Sequence, residues 1–237
     1  MSLASIKYYL ISCLNAVCYV VGTLCVISQY KYILKGIVMH KLSLTDFVDI
    51  VSKSGTPKAT NVAKVKHRPK YEPSTDFYKL LRDRIVETHK NGLSHKHLVK
   101  LVPSLNDLKK IKNYPDIISG YSAWWGKKDI KWFDPPSELF VQHGIAVSIN
   151  PELGLNVNGQ SYLVKLYFKS EPLTKNRIDI ATHLMEVCLR KHCKAGESMA
   201  VLDIRNSKLI TPKVPIPSLS ATLDAELAYI AALWPNV

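Results

Sequence analysis

Residues 145–169 read IAVSINPELGLNVNGQSYLVKLYFK, and this stretch decides the fold class. Asn158-Gly159 suits a two-residue type I′ hairpin turn, because both central positions of that turn need φ > 0. After it, Tyr162, Val164, Leu166 and Phe168 alternate with Ser161, Leu163, Lys165, Tyr167 and Lys169. That is the period of a strand with one face in a core. Before it, Ile145–Ile149 and Leu153–Val157 read as two more strands, separated by a bend at Asn150-Pro151. Lys165 stands on the mixed face, and Glu152 lies near the end of the partner strand. The two form either a solvated surface pair or half of a phosphodiester-cleaving site.

Downstream, Arg177–Lys191 is an amphipathic helix with Ile178, Ala181, Leu184, Met185, Cys188 and Leu189 inward. Met199–Arg205 is a further strand, Asn206-Ser207 a turn, and Lys208–Thr211 a short fifth strand. A proline-rich link leads to a closing helix over Leu219–Trp234. Upstream, Asp134-Pro135-Pro136 is a hinge, and Ser137 is expected to cap a short helix carrying Glu138, Leu139 and Phe140.

Helix, three strands, helix, strand is the core order of the restriction-endonuclease-like, or PD-(D/E)xK, superfamily, and the C-terminal hundred residues resemble it. The resemblance implies a helix acid, an acid at the second strand, and a (D/E)-x-K on the third. Together they would bind Mg²⁺, which demands clustered oxygen ligands, while the lysine stabilises developing negative charge. Carried over residue by residue, Glu138 matches the helix acid, Glu152 the second-strand acid and Lys165 the lysine; Glu138 and Glu152 would be the metal ligands. Leu163 stands where the third-strand acid belongs. Some relatives move that acid to the following helix, where Asp179 or Glu186 would serve.

Charge divides the chain. The formal net charge is +13, in an otherwise ordinary composition of 47% hydrophobic and 22% charged residues, which argues against wholesale disorder. Residues 1–51 carry four Lys/Arg and two Asp/Glu, residues 52–132 eighteen and seven, and residues 133–237 ten and ten. The excess is confined almost wholly to the middle of the chain, so a basic module precedes a neutral one. Such a block attracts polyanions, of which nucleic acid is the commonest.

Within the block, residues 52–75 read as a linker and basic arm holding Lys64, Lys66, His67, Arg68 and Lys70. Residues 76–132 read as helical. A first helix carries Phe77, Leu81 and Ile85, and Asn91-Gly92 ends it. A short second helix is closed by Pro103. A third is expected from about Asn106 to Asn113 and a fourth from Asp116 toward Gly126. The run IVETHKNGLSHKHL, residues 85–98, resembles the first two helices of helix-turn-helix DNA-binding regions. That resemblance implies a recognition helix over Leu105–Asn113 carrying Lys109, Lys110 and Lys112. Lys90, Lys96 and Lys100 would then contact phosphates, with Lys127 and Lys128 beyond. Without an arginine to read guanine, either sequence preference should be weak or Asn106 and Asn113 do the reading. Tyr121, Trp124 and Trp125, at helical spacing, are expected to be core; the alternative is stacking on unpaired bases.

Tyr8–Ser28 is uncharged and about the ~20 residues a membrane-spanning helix needs. The heavier positive flank follows it, so a single span would leave the bulk cytoplasmic. The competing expectation is that the protein begins at Met39 and is cytoplasmic throughout. The five cysteines show no CxxC pair or zinc spacing, and no GxGxxG, P-loop or G-x-S-x-G occurs.

The expected organisation is therefore α+β. An apolar segment (1–38) precedes a short helix and basic linker (39–75) and a helix-turn-helix-like domain (76–133). An α-β-β-β-α-β nuclease-like domain with a closing helix (134–237) completes the chain. The expected function is DNA binding with a degenerate or weakly Mg²⁺-dependent nuclease-like domain. The alternative is a membrane-anchored protein whose basic arm meets anionic lipid or a partner.

Overall fold

Leu163 and Val164, neighbours on one strand, are both fully buried, so the sheet that holds them is covered on both faces. The computed structural model describes residues 39–237. The apolar segment Tyr8–Ser28 lies outside the described residues, as does the part of the chain that bears on a start at Met39. Among the described residues no helix is long and apolar enough to cross a membrane.

The fold is mixed α+β with two sheets. It opens with β1 (His40–Ser43), α1 (Leu44–Val51), α2 (Gly55–Lys66), α3 (Lys79–Lys90), α4 (Lys96–Val99) and α5 (Leu108–Trp125). Then follow β2 (Ile130–Phe133), β3 (Glu138–Gln142), β4 (Ile145–Ile149), β5 (Leu153–Val157) and β6 (Gln160–Tyr167). The chain closes with α6 (Lys175–Leu189), β7 (Ser198–Asp203), β8 (Lys208–Ile210) and α7 (Pro217–Leu233). One sheet runs β1-β4-β3 and the other β2-β5-β6-β7-β8. Only β1–β4 and β6–β7 are parallel, and α6 makes the β6-to-β7 crossover. The Asn158-Gly159 turn has φ of 51° and 91° at its two positions, as its residues demand.

The five-stranded sheet separates two cores. On one side Val164, Leu166, Ala200 and Leu202 pack with α3, α4 and α5, including Tyr114, Tyr121, Trp124 and Trp125. On the other, Leu163, Met199 and Val201 pack with α1, α6, α7 and the three-stranded sheet. Lys165 follows the parity of Leu163 and so belongs to the α1–α6 side.

Several expectations are corrected. The expected helix at Ser137–Phe140 is strand β3, antiparallel to β4. The expected first nuclease-like strand, β4, belongs to the other sheet, and β2 takes the place beside β5. The expected linker contains helix α2, and three of its basic residues are engaged by the fold, while Lys64, His67 and Lys70 are exposed. Lys58 pairs with Glu226 at 2.6 Å, Lys66 donates to the Trp234 carbonyl at 2.8 Å, and Arg68 grips Asp46. Ser43 caps α1: its Oγ accepts from Asp46 N–H at 3.0 Å and donates to Asp46 Oδ2 at 2.7 Å. The expected third and fourth helices are one, α5, capped by Asp107 and carrying Pro115 in its interior. No separate recognition helix exists over Leu105–Asn113. The aromatic residues of α5 are core, as expected.

Gly120 lets α5 lie directly on the end of β7. A Cβ there would come within 2.2 Å of the Ile204 carbonyl oxygen. Gly→Ala inside a helix ordinarily stabilises by up to about 1 kcal/mol. Here overpacking reverses the sign, and Gly120→Ala should destabilise by about 1–3 kcal/mol in denaturant titrations.

Candidate functional site

The chain changes sheets at Asn150-Pro151-Glu152. Proline lacks an N–H, so the strand breaks there, and the β5–β6 ladder resumes with Glu152 N–H donating to Val164 O at 3.0 Å. At this corner Glu152 turns toward Lys165. Lys165 Nζ donates to Glu152 Oε1 at 2.6 Å and to Asn150 O at 3.2 Å, while Leu166 N–H donates to Glu152 Oε2 at 2.9 Å. Lys165 is only 9% exposed. Of the two expectations for this pair, solvated surface is excluded.

The pair lines a cavity of about 640 Å³ with α1, α6 and the segment from Arg68 to Arg82. Three further carboxylates and four further cations line it. Asp49 holds both Lys169 and the buried Arg177. Asp46 takes Arg68 through both oxygens, at 2.7 and 3.1 Å. Asp76 takes Arg82 at 2.8 Å, Tyr78 N–H at 3.1 Å and the Tyr71 hydroxyl at 3.3 Å. Burial pushes the Asp46 and Asp76 carboxyls upward, but their arginine partners outweigh it and hold both below the usual carboxylate range. Tyr78 stacks on Phe168 with ring centroids 5.1 Å apart, which fixes one wall.

The sequence points to Glu152 and Lys165 but to none of the other charged residues here. Asp46 and Asp49 sit within the apolar run of α1, and Arg177 at the start of α6. A charge in a short apolar helix was the available signal.

The other expected acids lie elsewhere. Glu138 is held by Lys191 at 2.8 Å and His192 at 2.9 Å, which keep its carboxyl below the ordinary range. Those partners follow the far end of α6 from Arg177, roughly 20 Å away at 1.5 Å per residue. Asp179 pairs with Lys175, and Arg190 clasps both oxygens of Glu186 at 2.7 and 2.6 Å. None of the three lines the cavity.

This donor set does not fit Mg²⁺. Among the described residues no three His, Cys, Asp or Glu side chains gather where they could share a metal ion. Each oxygen of Asp46, Asp49, Asp76 and Glu152 already accepts a hydrogen bond. A hard cation needs such oxygens as ligands.

Neither protein-family models nor curated proteins give a match to the sequence.

The expected phosphate-contacting lysines divide. Lys90 pairs with Asp134 at 3.3 Å and lies over the Trp132 ring, and Lys128 donates to the Trp124 carbonyl as a cap on α5. Lys96, Lys100, Lys109, Lys112 and Lys127 are exposed, and Lys110 is half-exposed. The salt bridges of this region are Lys79–Asp83, Arg82–Asp76, Arg84–Glu87, Lys90–Asp134 and Lys131–Asp129. Those six lysines therefore have no carboxylate partner among the described residues. Five of them form two groups. Lys109, Lys110 and Lys112 lie at the start of α5. Lys96 and Lys127 lie near its other end, where His95 approaches Trp125 with ring centroids 5.8 Å apart. Lys100, the sixth, directly follows α4.

His183 and Ser220 resemble a catalytic pair, with 3.1 Å between Nε2 and Oγ. Ile216 N–H donates to His183 Nδ1 at 3.0 Å, so the ring proton sits on Nε2 and points at the hydroxyl. The imidazole cannot accept the serine proton; it ties α7 to α6.

Two predictions follow from these contacts. Glu152→Gln alone leaves a buried ammonium unpaired and should destabilise by about 3–5 kcal/mol, whereas Glu152→Gln with Lys165→Met should recover much of that. Chemical denaturation of both variants measures it. Burial lowers the pKa of His89 from 6.5 to about 4. The folded state therefore stays neutral where the unfolded chain binds a proton, and stability is lost as pH falls from about 6.5 toward 4. Melting temperature should fall across that window, and by less in His89→Phe.

Proposed function

We propose that this protein binds nucleic acid through the phosphate backbone. The observation that carries the reading is the set of six lysines on and just after α4 and α5 that have no salt-bridge partner among the described residues. Surface lysines not engaged in ion pairs remain available to a polyanion. The two groups stand roughly 25 Å apart along α5 at 1.5 Å per residue, a distance that spans several base pairs of a duplex. With no arginine among the six, contact is to backbone rather than base edges, so binding is weakly sequence-selective.

For the α/β part we propose a nuclease-like layout without a working metal site. In favour of that ancestry are the antiparallel β5–β6 pair, the parallel β6–β7 pair joined by α6, and the Pro151-Glu152 corner against Lys165. Against catalysis stands the absence of a carboxylate set with oxygens to spare. A lipid-binding arm is less favoured, because Lys58, Lys66 and Arg68 are held by partners in the fold and only Lys53, Lys64 and Lys70 of that stretch remain exposed.

Titration of a duplex oligonucleotide at several salt concentrations tests both parts. The logarithm of affinity should fall with the logarithm of salt at a slope near −5 if all six lysines engage, since each phosphate contact contributes about −0.9. Lys109→Gln with Lys112→Gln should reduce the slope by about 2. An unchanged slope, or preference for anionic vesicles over duplex, overturns the reading. Plasmid nicking in Mg²⁺ that vanishes in Lys165→Ala would overturn the non-catalytic half.

A further inference from the structure

The cavity at the sheet corner is short of acceptors and rich in donors. Asp46, Asp49, Asp76 and Glu152 have no oxygen left unbonded. The cations beside them have N–H groups to spare. Lys165 has three ammonium N–H groups and bonds two acceptors, Glu152 and Asn150 O. Arg177 has five side-chain N–H groups and bonds only Asp49; Glu171 lies 3.7 Å away, beyond a hydrogen bond. Lys169 shares that same Asp49 carboxylate, with Glu171 as a more distant ion-pair partner of Arg177. Arg177 and Lys165 are 7% and 9% exposed, yet neither is among the buried polar groups left without a partner, so their spare N–H groups keep access to the cavity. An anion entering there meets charged donors in a largely desolvated setting, where such hydrogen bonds are strong.

The donors line the cavity from separate elements: Lys165 and Lys169 from β6 and its continuation, Arg177 from α6. Such an array suits a tetrahedral anion with several acceptor oxygens better than a planar carboxylate, which two donors satisfy. The volume, about 640 Å³, is in the range of small-molecule sites and well beyond what an inorganic ion fills. Tyr71, 59% exposed, and Tyr78 offer ring surface for an organic group. A second cavity of about 350 Å³ shares Asp46, Asp49, Arg68, Lys169 and Arg177 and adds Lys53 and Lys64.

We propose that this cavity is a binding site for an organic phosphate monoester of nucleotide size, its phosphate held by Lys165, Lys169 and Arg177 and its organic part along Tyr71 and Tyr78. The same chemistry is offered by a free mononucleotide and by the phosphorylated end of a nucleic-acid strand. The site uses none of the six lysines of α4 and α5, so it stands or falls apart from duplex binding.

Calorimetric titration of the full chain at low salt tests it, with 5′-AMP, adenosine, a 5′-phosphorylated thymidine octamer and its 5′-hydroxyl counterpart as probes. The expected result is binding of 5′-AMP and the phosphorylated octamer at least tenfold tighter than of adenosine and the 5′-hydroxyl octamer. Lys169→Gln, at a half-exposed position that folding should tolerate, and Arg177→Lys should each weaken binding by tenfold or more. Lys208→Gln, on β8, should not. Equal affinity for the two phosphorylated probes assigns the site to free nucleotides, and a strong preference for the octamer assigns it to strand ends; both support the proposal. Phosphate-independent binding, no binding of either phosphorylated probe, or binding unchanged by Lys169→Gln overturns it. So does Mn²⁺ uptake that Glu152→Gln abolishes.

Discussion

A lysine in the middle of a strand buried on both faces is the constraint around which this fold is arranged. An ammonium in such a place needs a carboxylate within hydrogen-bond reach, and that carboxylate needs donors for its remaining oxygen. Both needs are met by one device. The bend at Asn150-Pro151 passes the chain from the three-stranded to the five-stranded sheet and delivers Glu152 to Lys165 and to the Leu166 N–H. The sheet junction and the charged site are thus a single feature, and the cavity is the space left where two sheets and α1 fail to close over it.

The molecule handles charge in two opposite ways. Around the cavity cations and carboxylates alternate at contact distance, so much of the field is spent internally. Along α4 and α5 Lys96, Lys109 and Lys112 stand in solvent without an ion-pair partner among the described residues. Net charge is a poor guide to where a polyanion would lie, because Lys58 and Arg68 belong to the first kind, whereas Lys109 and Lys112 belong to the second.

Much of the α/β half was legible in the sequence because its signals are local. Alternation marks β6, Asn158-Gly159 marks its turn, and the apolar stripes of α6 and α7 recur at helical spacing. What was illegible depends on tertiary context. Glu138-Leu-Phe-Val-Gln can form either element, and only pairing with β4 makes it a strand. Ser, Thr and Lys in residues 52–66 suggested a linker, yet contacts to α1 and α7 stabilise α2. Pro115 implied a helix boundary, but it falls on the exposed side of α5, where a lost hydrogen bond is made good by water. For the site, Glu152 and Lys165 were visible through their spacing. Asp49 and Arg177 were not, because they lie 128 residues apart in sequence.

The turn at Asn158-Gly159 sets how β5 and β6 align, yet a strand greasy on both sides has little of its own to resist sliding. Moving β6 by a single residue would exchange Leu163 for Val164 at almost no hydrophobic penalty. It would also drive the ammonium of Lys165 among Tyr114, Tyr121 and the tryptophans, where no acid waits. The lone charge therefore acts as an alignment key: it makes one of two nearly equivalent pairings intolerable, and so gives the sheet a unique threading that apolar packing alone would leave degenerate.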